Sequence, residues 1–218
     1  MKNKFLAVIL LTLLPFIYLA IIWKSLPLRV PIHFDFKGNI DRYGSKTDVL
    51  ILTFTMMLLA LIIYLLFNYI HIISPKIAAA DNRSRMQKIA LAVVAFFVII
   101  QFWLLYIIRQ GQIGFSIKFV LIAVSILFAI IGNYMPNLQP NYVAGFRLPW
   151  TLKNADNWKK THDVAGRLWF SGGLIAALLC FFLPLKPAVI VMAIIFVILL
   201  LYPAIYSYNL YTKARNTL

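Results

Sequence analysis

Six long apolar runs set the terms on which this chain can fold: residues 5–23, 49–70, 89–108, 117–134, 168–185 and 188–208. A bilayer's hydrocarbon core is about 30 Å thick, and roughly 20 mostly apolar residues cross it as a helix. Each run meets or approaches that length. β-Branched residues are common in them, but a lipid-exposed strand would leave backbone N–H and C=O groups unpaired where no water can reach them, so helices are expected. Pro15 and Pro203 predict kinks. Lys118, at the edge of the fourth run, is expected to snorkel towards the headgroups. The reading is therefore all-α: a polytopic membrane helix bundle of six transmembrane helices with two elaborated loops, and the lipid bilayer as its first partner.

Composition narrows the function classes. Of 218 residues, 63% are hydrophobic and 12% charged, about half the charged share of an ordinary soluble domain. Twenty-one Lys and Arg face six acids, all of them Asp, for a net charge of +15. In a soluble chain that balance would suggest nucleic acid. Between apolar runs it instead orients a membrane protein and meets anionic headgroups, so no direct nucleic-acid binding is expected. The one cysteine, Cys180, lies in an apolar run and reads as a small buried hydrophobe. No Cys/His spacing for a metal and no cofactor motif is present. The first run is longer than a signal-peptide core and lacks a small-residue cleavage site after it, so it is read as a retained span.

Lys and Arg in the connecting segments predict orientation. With the N-terminus inside, 13 basic residues fall on the inner side and 8 on the outer. The expected location is a bacterial plasma membrane, with both termini cytoplasmic.

The first elaborated loop spans 24–48. Pro27 and Pro31 favour an extended path. Val30, Ile32, Phe34 and Phe36 alternate with Pro31, His33, Asp35 and Lys37, a period of two that predicts a short strand. Gly38-Asn39 is a turn signal, and 41–44 suggests a second turn. His33 and Asp35 fall on one strand face with Asp41 close by, which fits a weak metal or proton site or, more simply, a His–Asp hydrogen bond fixing the loop. Gly44-Ser45-Lys46 lacks the context of a phosphate loop.

The second elaborated loop, 135–167, is polar and Trp-rich. After the Gly132–Pro136 stop, Pro140, Asn141 and Gly145 mark turns. Thr151 or Asn154 is expected to cap an amphipathic helix lying at the membrane surface and running into the fifth span. On it, Trp158, His162, Ala165 and Trp169 share a face, Asp163 is expected to pair with Arg167, and Gly145 and Gly166 are candidate hinges. Trp169, and in part Trp158, read as interfacial anchors. Asn68, Gln101 and Asn209 are expected to hydrogen-bond between helices.

These residues carry a resemblance. Gly132-Asn133-Tyr134-Met135-Pro136, Pro140-Asn141-Tyr142, the run from Gly145 to Leu152, then Trp158, Thr161-His162 and Gly166 resemble the signature of the SdpI family of bacterial membrane proteins. Pro31-Ile32-His33-Phe34 with Gly38, Asp41 and Gly44-Ser45-Lys46 is similar to a companion module, DUF1648. The resemblance implies a DUF1648-like membrane module over 1–110 and an SdpI-like module over 111–218. It also implies a protein giving immunity to a secreted antimicrobial peptide toxin, binding it outside and holding a transcriptional repressor inside. It supplies no catalytic residues.

The partner-binding candidates are thus His33, Asp35, Asp41, Arg42 and Lys46 in the first loop, and Asn141, Arg147, Trp150, Trp158 and His162 in the second. Lys159 and Lys160 lie beside the latter. A small-solute transporter and a membrane-embedded enzyme are the alternatives. The first would need charges within the spans, which are nearly absent, and the second a nucleophile, base or metal set that no spacing here suggests.

Overall fold

A computed structural model describes residues 2–34, 40–69, 80–110 and 116–216. Seven helices and one two-stranded sheet are present among them: α1 (Lys2–Ile22), β1 (Val30–Phe34), β2 (Ile40–Gly44), α2 (Lys46–Asn68), α3 (Ala80–Gln110), α4 (Ser116–Tyr134), α5 (Pro149–Lys153), α6 (Ala155–Phe182) and α7 (Leu185–Asn216). All but α5 are long and apolar enough to cross a membrane. The six expected spans are these six helices, and the chain is a multi-pass membrane protein. Leu10, Ile21, Leu178, Phe182 and Ile190 are all more than half exposed. Such side chains would be a liability in water and are at ease against lipid. Helices α1 and α7 run through Pro15 and Pro203 without a break.

The chain divides into two compact units, Met1–Leu65 with Leu91–Val120, and Leu66–Ala90 with Leu121–Leu218. In the first, Leu19, Ile22, Leu26, Val30, Val49, Leu105 and Ile108 form a buried cluster, with Tyr18 packed against it. The root of the first loop is therefore tied to the ends of α1, α2 and α3. Deeper in the same unit Gln101 Nε2 donates to the Thr53 carbonyl at 2.9 Å, the interhelical bond expected of a polar side chain within a span.

The loop itself is an antiparallel hairpin with irregular register, pairing Val30 with Gly44, Pro31 with Tyr43, His33 with Arg42 and Phe34 with Ile40. Residues 41–44, read as a turn from their Asp and Gly, are in fact its second strand. Pairing with β1 supplies the backbone partners that their own composition does not advertise. The Gly38-Asn39 turn and Asp35 lie outside the described residues. Ser45 caps α2: its N–H and hydroxyl donate to Asp48 Oδ2, and its Oγ accepts from the Asp48 N–H, a reciprocal cap. The Ser45 bonds hold the Asp48 side chain in its ionised, acceptor form.

In the second unit Gln87 Nε2 donates to Asn68 Oδ1 at 2.7 Å, so Asn68 also bonds between helices. Helix α6 packs on α7, and on the 3₁₀ turn Met135–Asn137 that ends α4. Glycines allow these approaches. A Cβ at Gly132 would sit 2.4 Å from the Phe170 nitrogen, and one at Gly173 2.6 Å from the Ser125 carbonyl oxygen. Such contacts leave no room for any side chain, which is why small residues recur where helices cross in lipid.

The expected surface helix is not a separate element. After the short α5, Asn154 caps α6 by accepting from the Asp156 and Asn157 N–H groups, and α6 continues unbroken for 28 residues to Phe182. No breaker interrupts the helix between its polar first half and its apolar second half. The polar half is instead covered by the chain that precedes it.

Candidate functional site

The polar loop is built on His162. Its side chain is fully buried. Nδ1 lies 2.8 Å from the Trp158 carbonyl oxygen one turn back, and Nε2 accepts from the Phe146 N–H at 3.0 Å. A nitrogen that accepts an amide proton carries none itself, so the ring is neutral, with its proton on Nδ1. Trp158, also fully buried, stacks on the imidazole with centroids 4.0 Å apart, and its Nε1 donates to the Leu138 carbonyl at 2.7 Å. One turn of α6 thus holds the loop at two backbone points, Leu138 and Phe146.

The intervening chain is folded to reach them. Asn141 is buried, and its Oδ1 accepts from the Val143 and Ala144 N–H groups, an Asx turn. Gly145 follows with φ of +104°, which an L side chain rarely adopts. A Cβ there would lie 2.2 Å from His162 Nε2. Glycine is required twice over, for the backbone angle and for the histidine. Thr151 Oγ1 then accepts from the Leu148 N–H and donates to the Phe146 carbonyl, fixing α5.

Gly166, a candidate hinge, is a packing residue. A Cβ there would meet Pro136 Cδ at 2.4 Å in the middle of α6. Asp163 pairs with Lys159 instead of Arg167, while Arg167 Nε donates to the Asp163 main-chain carbonyl. The Lys159 ammonium also donates to the Pro136 carbonyl at 3.0 Å. Lys160 pairs with Asp156 at 2.8 Å. Trp169 does more than anchor at an interface: it donates to the Leu199 carbonyl at 2.8 Å and stacks on Phe128 at 4.5 Å.

A second network, joining α5 and α6 to the end of α7, had no signal in the sequence. Trp150 Nε1 donates to Ser207 Oγ at 3.0 Å, Asn157 Nδ2 donates to the Ser207 carbonyl at 2.9 Å, and Thr161 donates to Asn157 Oδ1. Ser207 is fully buried. It lies some fifty residues from both partners, so nothing local marks a serine in an apolar helix as their acceptor.

In the hairpin the geometry is open. His33 Nδ1 and Asp41 Oδ1 are 2.6 Å apart, both about half exposed. Arg42 is exposed, and Arg29 lies over the Tyr43 ring at 5.8 Å. Lys46 donates to the Trp23 carbonyl at 2.8 Å and sits over the Trp23 ring. Among the described residues no three His, Cys, Asp or Glu side chains gather as a metal site.

The sequence-predicted residues therefore separate. His33, Asp41 and Arg42 come together on an exposed hairpin, and Lys46, half-buried, begins α2 just after it. Asn141, Trp158 and His162 are interior and shape the second loop. Arg147 is exposed and donates to the Tyr142 carbonyl at 2.6 Å, while Trp150 is half-buried against α7.

Both loops coincide with the regions that match known families. Residues 137–207 match the model of the SdpI/YfhL protein family, and residues 10–59 match DUF1648, a domain of unknown function. Immunity protein SdpI of Bacillus subtilis (strain 168) is 26% identical over 220 residues, covering 100% of both chains. No solved structure matches the chain. Two family models match in the order the resemblance implied, and the chain is similar to an SdpI immunity protein from end to end.

Proposed function

We propose that this membrane protein is an immunity protein, protecting its bacterial cell against a secreted antimicrobial peptide. The observation that carries the reading is the similarity to an immunity protein along the whole of both chains, both elaborated loops included. The hairpin supplies a surface suited to an amphipathic peptide. Leu28, just before β1, is 87% exposed and Tyr43 50% exposed, and the same segment carries His33, Asp41, Arg42 and Lys46. Asp35 belongs to the same segment by sequence.

With both termini cytoplasmic, six crossings put the hairpin outside and the second loop inside. Arg147 then faces a cytoplasmic partner, a transcriptional repressor held at the membrane, and Trp150 with the buried Asn141, Trp158 and His162 positions it. Signalling between the two loops requires two states with different affinities for the two partners.

The test is rescue of a peptide-sensitive bacterium by expression of this chain. His33→Ala and Arg42→Ala should reduce survival under peptide with the protein level unchanged. Arg147→Ala should leave survival intact and abolish membrane retention of a repressor. Unchanged survival with both hairpin variants would overturn the peptide-binding role, and failure of the parent chain to rescue would overturn immunity itself. A cysteine at Tyr43, in a Cys180→Ser background, should react with an impermeant maleimide from outside intact cells.

A further inference from the structure

A groove of about 540 Å³ opens between α5 and the last turns of α7, lined by Pro149, Trp150, Lys153, Asn154, Tyr211 and Arg215, with Ala214. That volume lies in the range of small-molecule sites. Its wall is a fixed aromatic surface. Trp150 is tethered to Ser207 and stacks on Tyr211 at 5.9 Å and 24°, with Tyr208 edge-on at 5.3 Å. Its rim is cationic. Lys153 is the last residue of α5, and Arg215 lies in the last turn of α7. Both are exposed, and neither forms an ion pair among the described residues.

Among the described residues no carboxylate is left to pair with them. Of the four Asp with described side chains, Asp41 is paired with His33, Asp48 with Ser45, Asp156 with Lys160 and Asp163 with Lys159. Two cations over an aromatic wall, with no described counter-charge, select an anion.

The place of the groove selects the kind of anion. Helix α7 has 32 residues, about 48 Å at about 1.5 Å per residue, against a hydrocarbon core of about 30 Å. Counted from its apolar start near Ala188, its last two turns emerge from the core where headgroups lie. Trp150, Tyr208 and Tyr211 cluster at that level, as aromatic residues do at a membrane interface. Basic pockets beside membrane helices at this depth are recognition sites for anionic headgroups. We propose that this groove binds the phosphate of an anionic phospholipid, with Lys153 and Arg215 on the phosphodiester and the Trp150–Tyr211 wall against the glycerol backbone.

The test uses the full chain in nonionic detergent, titrated with phosphatidylglycerol, phosphatidylcholine, inorganic phosphate or an acidic hexapeptide, with bound molecules counted by native mass spectrometry. One phosphatidylglycerol should be retained in preference to phosphatidylcholine. Lys153→Gln with Arg215→Gln should weaken that retention roughly 25-fold, from about fivefold per cation near a lipid surface. The parent's melting temperature should be kept, since neither side chain is buried. Arg29→Gln with Arg42→Gln, the same loss of charge in the hairpin, should leave retention unchanged. Equal retention of the two lipids, or undiminished retention by the Lys153/Arg215 variant, overturns the proposal. So does phosphate that binds as well as the lipid, which makes the site one for a soluble anion. Hexapeptide bound in the lipid's place overturns it in favour of a protein partner.

Discussion

Gly145→Ala tests how the second loop is held. Two costs follow from the structure. The φ of +104° becomes strained for alanine, at about 1–3 kcal/mol. The new Cβ, 2.2 Å from His162 Nε2, must also displace the ring or the loop, so the Phe146 N–H to Nε2 bond is lost. Leaving the buried His162 Nε2 unpaired costs about 1–3 kcal/mol. The single variant should lose about 2–6 kcal/mol. In a His162→Ala background the clash and the bond are already gone, so Gly145→Ala should cost only the backbone strain, about 1–3 kcal/mol. The difference, a coupling of about 1–3 kcal/mol, is read from a double-mutant cycle. Reversible unfolding of the detergent-solubilised chain by increasing sodium dodecyl sulfate supplies the four stabilities. Costs that agree within about 0.5 kcal/mol in the two backgrounds would refute the contact between Gly145 and His162 as the loop's fastening.

Trp158→Phe keeps the stacking on His162 and removes the donor to the Leu138 carbonyl, and should cost about 1–3 kcal/mol in the same unfolding assay. Asn154→Ala removes the α6 cap and should cost about 1 kcal/mol. Glycines at the helix crossings should rank by what a Cβ meets. Gly132→Ala and Gly173→Ala press on backbone and should each lose about 1–3 kcal/mol or more. Gly172→Ala meets only the end of the Leu199 side chain and should be milder, as parallel melting curves would show.

Much of this protein was legible from its residues alone. Spans were readable because the lipid constraint is one-dimensional: a helix must be apolar for about 20 residues wherever it crosses. The β1 strand was readable from its alternation and the start of α6 to within Thr151 or Asn154, both local signals, and the structure uses Asn154. What the sequence could not decide was which polar groups meet across distance. His162 is an equally good surface ligand or buried bridge until Gly145 and Phe146 are folded over it, sixteen residues away in the chain. Residues 41–44 look like a turn until β1 lies beside them. Ser207 is unremarkable in an apolar helix until Trp150 and Asn157 arrive from half a hundred residues upstream. A buried polar atom must find a partner. The sequence by itself determined that this chain spans a membrane six times and carries two polar loops. Only the tertiary structure decided that the first loop shows its charged side chains to solvent while the second turns its histidine and Trp158 inward.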